Sequence, residues 1–227
     1  MSAPETWWSS PRRVTVVVDN DSWILPFAKQ LVEGITANGD VAVMARSHDD
    51  VPAGEIAFYL GCVKITPPEV LARNKRNLVV HASDLPKGRG FSPLTWQIIE
   101  GLNAFPICLI LANERVDEGP IVYRQLIELR GDELLAELHD VVGDFHVSLA
   151  MRYLKEPQEP QSKKQTGEPT YYKRRCPEDS RLDPHKSIAE QFNQLRTVDN
   201  EKYPAFMDFL GCRYILKVKK IDPKSTS

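Results

Sequence analysis

The run Val14-Thr-Val-Val-Val18 is β-branched at every position, and a stretch of that kind packs well only inside a sheet covered on both faces. Further short apolar runs stand at residues 55–60, 78–80 and 106–111, with a weaker one at 40–45. Asp19-Asn-Asp-Ser22 supplies capping residues after the first run, and helical spacing from 24 to 35 breaks at Asn38-Gly39. This alternation predicts an α/β fold built on a doubly wound, mostly parallel sheet. No G-x-G-x-x-G follows the first strand, so the dinucleotide fingerprint is absent.

Thr66-Pro-Pro reads as the capped opening of a short helix. Residues 96–100 read as a buried helical turn with Trp96 in the core, and 126–142, continuing to about 153, as one long helix. The polar, proline-rich stretch 156–169 reads as a mobile linker. It separates a first unit, 1–155, from a small α/β carboxyl-terminal extension, 170–227. The extension is predicted to hold a strand at 170–175, a helix at 184–196 and two strands within 206–218 turned at Gly211.

The chain has 227 residues and a net charge of −2, enough length for one domain and an extension but not the overall basic charge of a protein held to nucleic acid by phosphates. Residues 151–227 carry 16 Lys and Arg against 11 Asp and Glu, out of 29 and 31 in the whole chain, so a basic extension follows an acidic body. Such an excess either meets a small anionic substrate or is a solvated charged face. No apolar run approaches the ~20 residues of a membrane span, and the first residues lack the plan of a signal peptide. Both features predict a cytoplasmic protein with no membrane partner. Cys62, Cys108, Cys176 and Cys212 show no C-x-x-C spacing, so no metal site or disulfide framework is indicated and the thiols are expected to be reduced and mostly buried.

The chemistry points to residues 77–93. Leu78-Val-Val80 reads as a buried parallel strand, and His81 stands where it gives way to a loop carrying Pro86, Gly88, Gly90 and Pro93. Ligands of open α/β sheets bind beyond the carboxyl ends of the strands, which is where this order places the imidazole. A histidine capping a strand beside an ordinary surface loop accounts for the same residues. The apolar run at 106–111 leads into Ala-Asn-Glu-Arg-Val-Asp-Glu-Gly-Pro-Ile, putting Asp117 just ahead of a glycine and a strand-like Ile121-Val-Tyr123.

His81-Ala-Ser83-Asp-Leu85-Pro86, then Arg89-Gly90, Pro93, Trp96 and Asp117-x-Gly119-x-Ile121, in that order and spacing, resemble the signature of the formyltransferases that use 10-formyltetrahydrofolate. The resemblance covers about 14–123 and implies their Rossmann-like fold. Tyr171-Tyr-Lys-Arg-Arg-Cys-Pro-Glu-Asp-Ser-Arg-Leu-Asp183, with Asn193, Arg196 and Tyr203-Pro-Ala-Phe206, is similar to the extension of sugar N-formyltransferases, particularly those acting toward nonulosonic acids such as pseudaminic acid. A small appendage with exposed arginines fits that stretch too. The resemblance implies formyl transfer from 10-formyltetrahydrofolate to the amine of a nucleotide-linked amino sugar, without a metal and with room for a homodimer. Hydroxyornithine, glycinamide ribonucleotide and methionyl-tRNA are the family's other acceptors. From a different class, a non-catalytic folate- or nucleotide-binding regulator would share the fold.

Formyl transfer to an amine needs a neutral amine, a stabilised tetrahedral oxyanion and a route for one proton. His81 can donate to the oxyanion and Asp117 can accept the amine's proton. Ser83 either orients the histidine or binds the loop backbone. The resemblance assigns Lys64 and Thr66, and then Asn113, Glu114 and Val116, to folate through main-chain groups, and Tyr203 to the acceptor. Arg174, Arg175 and Arg181 offer planar forks to a nucleotide diphosphate or are surface charges. Lys87 and Arg89, nearer the histidine, are the better candidates for the acceptor's anionic group. Two positions depart from the family: Val79 replaces the asparagine two residues before the histidine, and Ile110 stands where relatives often carry histidine. Losing one oxyanion donor typically costs ~10²–10³ in rate, so either the chain is slow or another donor takes its place, with Asn113 or a backbone N–H the expected substitute.

Overall fold

A computed structural model describes residues 11–221. Along the chain run β1 (Arg13–Val17), α1 (Leu25–Ala37), β2 (Val41–Ala45), β3 (Gly54–Tyr59), α2 (Pro68–Leu71), β4 (Asn74–His81), β5 (Arg89–Gly90), α3 (Pro93–Ile99), β6 (Ala104–Leu111), β7 (Ile121–Glu128) and α4 (Leu135–Lys155). A smaller part adds β8 (Tyr171–Tyr172), α5 (Phe192–Leu195), β9 (Ala205–Phe209) and β10 (Cys212–Leu216). Six strands form one sheet in the order β2-β1-β3-β4-β6-β7. β1 to β4 are parallel to their neighbours, β6 runs against β4 and β7 against β6, so β6 alone of the six opposes the others.

The two faces of the sheet are covered differently. On one, Val14, Val16, Phe58, Leu78 and Val80 meet Leu31 and Ile35 of α1, Ile98 of α3, and Leu138, Val142 and Leu149 of α4. On the other, Val17, Ala57 and Tyr59 meet Val51 and Val70, while Val79, Cys108 and Ile110 meet Leu85 and Ile121. The second face is thus roofed by the four-residue α2 and by loops. Strand order and direction are those of a wound α/β sheet, but only one face carries a full helical layer. The connections around β3 are too short for more.

Several elements differ from their sequence pattern. Residues 126–128 end β7, and α4 starts only at Leu135, because Glu133 draws the amides of Arg130 and Gly131 into a turn ahead of it. The helix expected at 184–196 contracts to α5: the Gln191 carboxamide donates to the carbonyls of Asp183, Lys186 and Ser187, competing with helical bonds. Pro67, not Thr66, caps α2, and Thr66 Oγ1 lies 3.3 Å from His48 Nε2. Trp96 is half-buried with its Nε1 donating to Lys173 O at 2.9 Å, so it joins the body to the extension instead of filling the core. Cys108 is buried, but Cys176 and Cys212 are exposed.

The stretch 156–169 does not lie free as a mobile linker would. Lys163 exchanges two backbone hydrogen bonds with Ile121, at 2.7 and 2.8 Å, and Glu159 pairs with Arg76 at 2.5 Å. Beyond it, β8 pairs in parallel with β5. The extension has its own small core, Leu182, Leu195, Val198 and Ala205, and is fastened to the body by Arg196. That guanidinium is fully buried, meets Glu133 at 3.4 Å and hydrogen-bonds Asn103 and Asn193. Among the described residues no helix is long and apolar enough to cross a membrane.

Candidate active site

His81 is the last residue of β4, paired with Cys108 of β6 and facing the loop-covered side of the sheet, two positions after Val79. Its Nε2 lies 2.7 Å from Gly88 O. A carbonyl only accepts, so Nε2 carries the proton of that bond and Nδ1 is the nitrogen left to face outward. It faces Asp117: Nδ1 and Oδ1 are 3.5 Å apart, and both side chains are more than nine-tenths buried. That separation is longer than a hydrogen bond, so the pair is a loose contact.

Asp117 reaches the histidine by an indirect route. Because β6 is antiparallel to β4, it passes the histidine at Cys108 and its last residue, Leu111, pairs with Leu78, three positions beyond. The loop 112–120 doubles back, with Asp117 at φ +56°, a left-handed conformation aspartate tolerates better than most residues. Gly119 is required there, since a Cβ would stand 1.6 Å from Leu111 O. Gly90 N donates to Asp117 Oδ2 at 2.9 Å, tying the carboxylate to β5.

The other residues singled out in the sequence fall into three groups. Ser83 Oγ donates to Lys87 O at 2.8 Å, shaping the loop between His81 and β5, and Lys87 itself is exposed. Arg89 is buried and committed: Nη1 meets Glu118 at 3.0 Å and the Tyr171 hydroxyl at 3.3 Å, and Nη2 donates to Gln165 Oε1 at 2.8 Å. It is therefore not presented to an anionic ligand. Arg175 is likewise structural, donating to Thr197 O, Asp179 O and Ser180 Oγ, and burial lowers its pKa. Arg181 pairs with Glu178 and Asp208. Arg174 remains exposed with its guanidinium 4.6 Å from the ring centre of half-open Phe91, next to β5. Tyr203, 42% exposed, lies in the turn before β9 and not beside the His81–Asp117 pair.

For the folate candidates the geometry is mixed. The amides of Val63 and Lys64 donate to the Asp19 carboxylate at 2.9 Å each, so Lys64 N is already used. Burial alone would raise the Asp19 pKa, but these bonds and one from Asn20 outweigh it and hold it below the ordinary value. Asn113 Oδ1 accepts from Arg115 N at 2.9 Å, an Asx turn that fixes the loop. The amides of Glu114 and Val116 have no hydrogen-bond partner among the described residues. Asn113, Glu114 and Arg115 line one wall of a cleft of about 600 Å³, opposite Pro68, Leu71 and Ala72. An open main-chain donor, the Glu114 amide, at the rim of a cleft of this size suits a flat heterocycle. Val79 packs among Leu85, Cys108, Ile110 and Ile121, an apolar setting with no donor in place of the missing asparagine.

Sequence reasoning missed Gln165, whose Nε2 donates to Asp117 O at 2.7 Å and Gly119 O at 2.8 Å, and Thr170, whose Oγ1 accepts from Gly88 N at 2.8 Å. Both lie in or next to a stretch whose polar composition signals only a linker.

Residues 43–154 match the formyl transferase family. Over 147 residues, 63% of this chain and 47% of the relative, the sequence is 31% identical to a methionyl-tRNA formyltransferase of Thermodesulfovibrio yellowstonii. The chain spans about half the length of the curated relatives it matches. Among solved structures, a methionyl-tRNA formyltransferase from Clostridium thermocellum is similar with a TM-score of 0.78 at 22% identity, over 92% of this chain and 93% of that one. HypX from Aquifex aeolicus in complex with tetrahydrofolic acid gives 0.71 at 16%, over 92% and 38%. A sugar N-formyltransferase from a Shewanella species gives 0.64 at 17%, over 92% and 99%. The chain has the formyltransferase fold.

Proposed function

We propose that this chain transfers a formyl group from 10-formyltetrahydrofolate to the amine of a nucleotide-linked amino sugar. The observation that carries the transfer is the His81–Asp117 pair, 3.5 Å apart on a scaffold matching the formyl transferase family. Nε2–H is committed to Gly88 O, so the proton that moves belongs to Nδ1 or to the Asp117 carboxyl. The amine nitrogen attacks the formyl carbon, and the carbonyl oxygen becomes an oxyanion facing Nδ1, which donates to it in the imidazolium form, the ring then carrying a proton on each nitrogen. Asp117 takes the proton released by the new ammonium and returns it to the departing folate nitrogen as the old C–N bond breaks. The products are a formamide and tetrahydrofolate. Folate as donor is supported by the tetrahydrofolic acid complex of a protein of this fold and by the unpaired amide of Glu114 at the cleft.

The acceptor reading rests on charge accounting in the extension. Lys173, Arg181, Arg196, Arg213, Lys217 and Lys220, six of the twelve Lys and Arg in 170–227, pair with carboxylates of the extension or the body, so half of its cations are already held. A surface built to hold a tRNA backbone needs those cations free. What stays open near the pair is the Arg174–Phe91 stack, an aromatic face beside a guanidinium, together with exposed Lys87. That combination suits the base and diphosphate of one nucleotide. Methionyl-tRNA is the second reading, favoured by the identity to curated relatives. The test is tetrahydrofolate release, followed by absorbance, from 10-formyltetrahydrofolate with a panel of amino-sugar nucleotides and with charged initiator tRNA. Turnover with a sugar nucleotide is expected. Turnover only with tRNA would replace the acceptor assignment, and folate binding without any product would leave a regulator.

A further inference from the structure

Between 161 and 171 one side chain turns inward where its neighbours do not: residues 161–164 and 166–171 are exposed, and Gln165 is partly buried against the site loop. The orientation of its carboxamide follows from its partners. Arg89 Nη2 can only donate and lies 2.8 Å from one end, so that end is Oε1. The Nε2 end then places its two N–H bonds on Asp117 O and Gly119 O, at 2.7 and 2.8 Å. Those carbonyls bracket Glu118, whose carboxylate is itself held by Arg89 at 3.0 Å. The carboxamide therefore clamps the turn on both sides of its tightest point. Asp117 holds a left-handed backbone there, and its carboxylate has one direct backbone donor, Gly90 N.

We infer that Gln165 is a positioning residue, which sets the backbone of Asp117 so that its carboxylate meets His81. This rests on the formyl-transfer reading for its catalytic consequence, but not for its geometric one. A loop held in a left-handed turn by two hydrogen bonds relaxes when both are removed. The carboxylate then loses its register with Nδ1, a displacement of the size that costs about 10–100-fold in turnover when reacting groups must be aligned. The same clamp joins the site to the extension, because Arg89 also binds the Tyr171 hydroxyl and β5 pairs with β8.

The test uses Gln165→Met, which keeps side-chain volume without donors, Gln165→Glu, which points a carboxylate at two carbonyls, and Lys164→Ala as an exposed control. In the full chain, Gln165→Met is expected to lower kcat about 10–100-fold with KM for 10-formyltetrahydrofolate changed less than about twofold. Gln165→Glu falls at least as far, and Lys164→Ala leaves both constants unchanged. A second readout needs no turnover. In ¹⁵N spectra of the His81 ring, the titration midpoint of Gln165→Met moves toward that of Asp117→Asn, and on the Asp117→Asn background the Met substitution moves it no further. Unaltered kcat and an unaltered His81 midpoint in a folded Gln165→Met chain overturn the inference. So does a drop in Tm with both of those readouts unchanged, which would make the clamp merely structural. If the wild-type chain forms no tetrahydrofolate with any amine, the functional reading falls while the His81 titration still decides the role of Gln165.

Discussion

His81 and Asp117 differ in how they are held, and the difference sets what each substitution should do. The imidazole is fixed at Nε2 by a loop carbonyl, whereas the carboxylate is fixed by Gly90 N and leaves Oδ1 toward Nδ1. Asp117→Asn keeps the acceptor for Gly90 N but cannot take a proton. It is expected to fold normally by circular dichroism and to lose about 10²–10⁴ in kcat for formyl transfer. His81→Leu, which removes the oxyanion donor in a site where Val79 offers none, is expected to lose about 10²–10³. Retention of more than a tenth of wild-type turnover in both would move the chemistry elsewhere. Arg89 and Arg175 teach a related lesson at this scale. A guanidinium near a site is available to a ligand only if nothing nearer has claimed it, and here carbonyls, Glu118 and Gln165 have.

Among the elements, the stretch 156–169 and the Arg196 fastening decide how body and extension work together. If Lys163 is bridged to the start of β7, the amides of Ile121 and Lys163 should exchange hydrogen slowly, and that of Lys164, with no partner among the described residues, should exchange quickly. Uniformly fast exchange from 157 to 169 would return the stretch to the status of a linker. Arg196 is fully buried, and removing it leaves the buried Glu133 with only the solvent-exposed Arg130, 3.8 Å away, as its cation. Arg196→Met is expected to cost about 3–5 kcal/mol by denaturant unfolding and to expose the extension to limited proteolysis before the body. An unchanged midpoint and cleavage pattern would show that the extension is held by other contacts.

For the molecule as a whole, two histidines on α4 make stability depend on pH. Burial pushes the imidazoles of His139 and His146 down to about 4 from the ordinary 6.5. Trp23 stacks on the first at 4.2 Å and meets the second edge-on at 6.1 Å, so both are enclosed at the α1–α4 contact. Folded, they stay neutral, whereas the unfolded chain takes up protons below about 6.5. The unfolded state thus binds more protons between about 6.5 and 4, and the contribution of these two rings to stability falls as pH drops through that window and levels below it. For His146 the loss is on the order of 3 kcal/mol. Denaturant midpoints measured from pH 7 to 4 should show this decline, and His146→Phe should flatten part of it. A flat profile in the wild type would mean that the rings are open to water.

What the sequence determined by itself was a set of features written in contiguous residues. The β-branched Val14–Val18 run made a central strand, Asn38-Gly39 stopped α1, Gly211 turned the last hairpin, and the apolar run before His81 put the imidazole at a strand's end. Each of these follows from side-chain shape or backbone freedom acting over a few positions, so no distant partner is needed to read it. The tertiary structure alone decided that Asp117 meets His81 by way of a loop that doubles back past an antiparallel strand. It also decided that Gln165 faces inward from a stretch that looks like a tether, and that Arg89 is enclosed while Arg174 is open. These outcomes depend on which hydrogen-bonding groups lie within about 3 Å after folding. That is a property of residues tens of positions apart, and no local pattern encodes it.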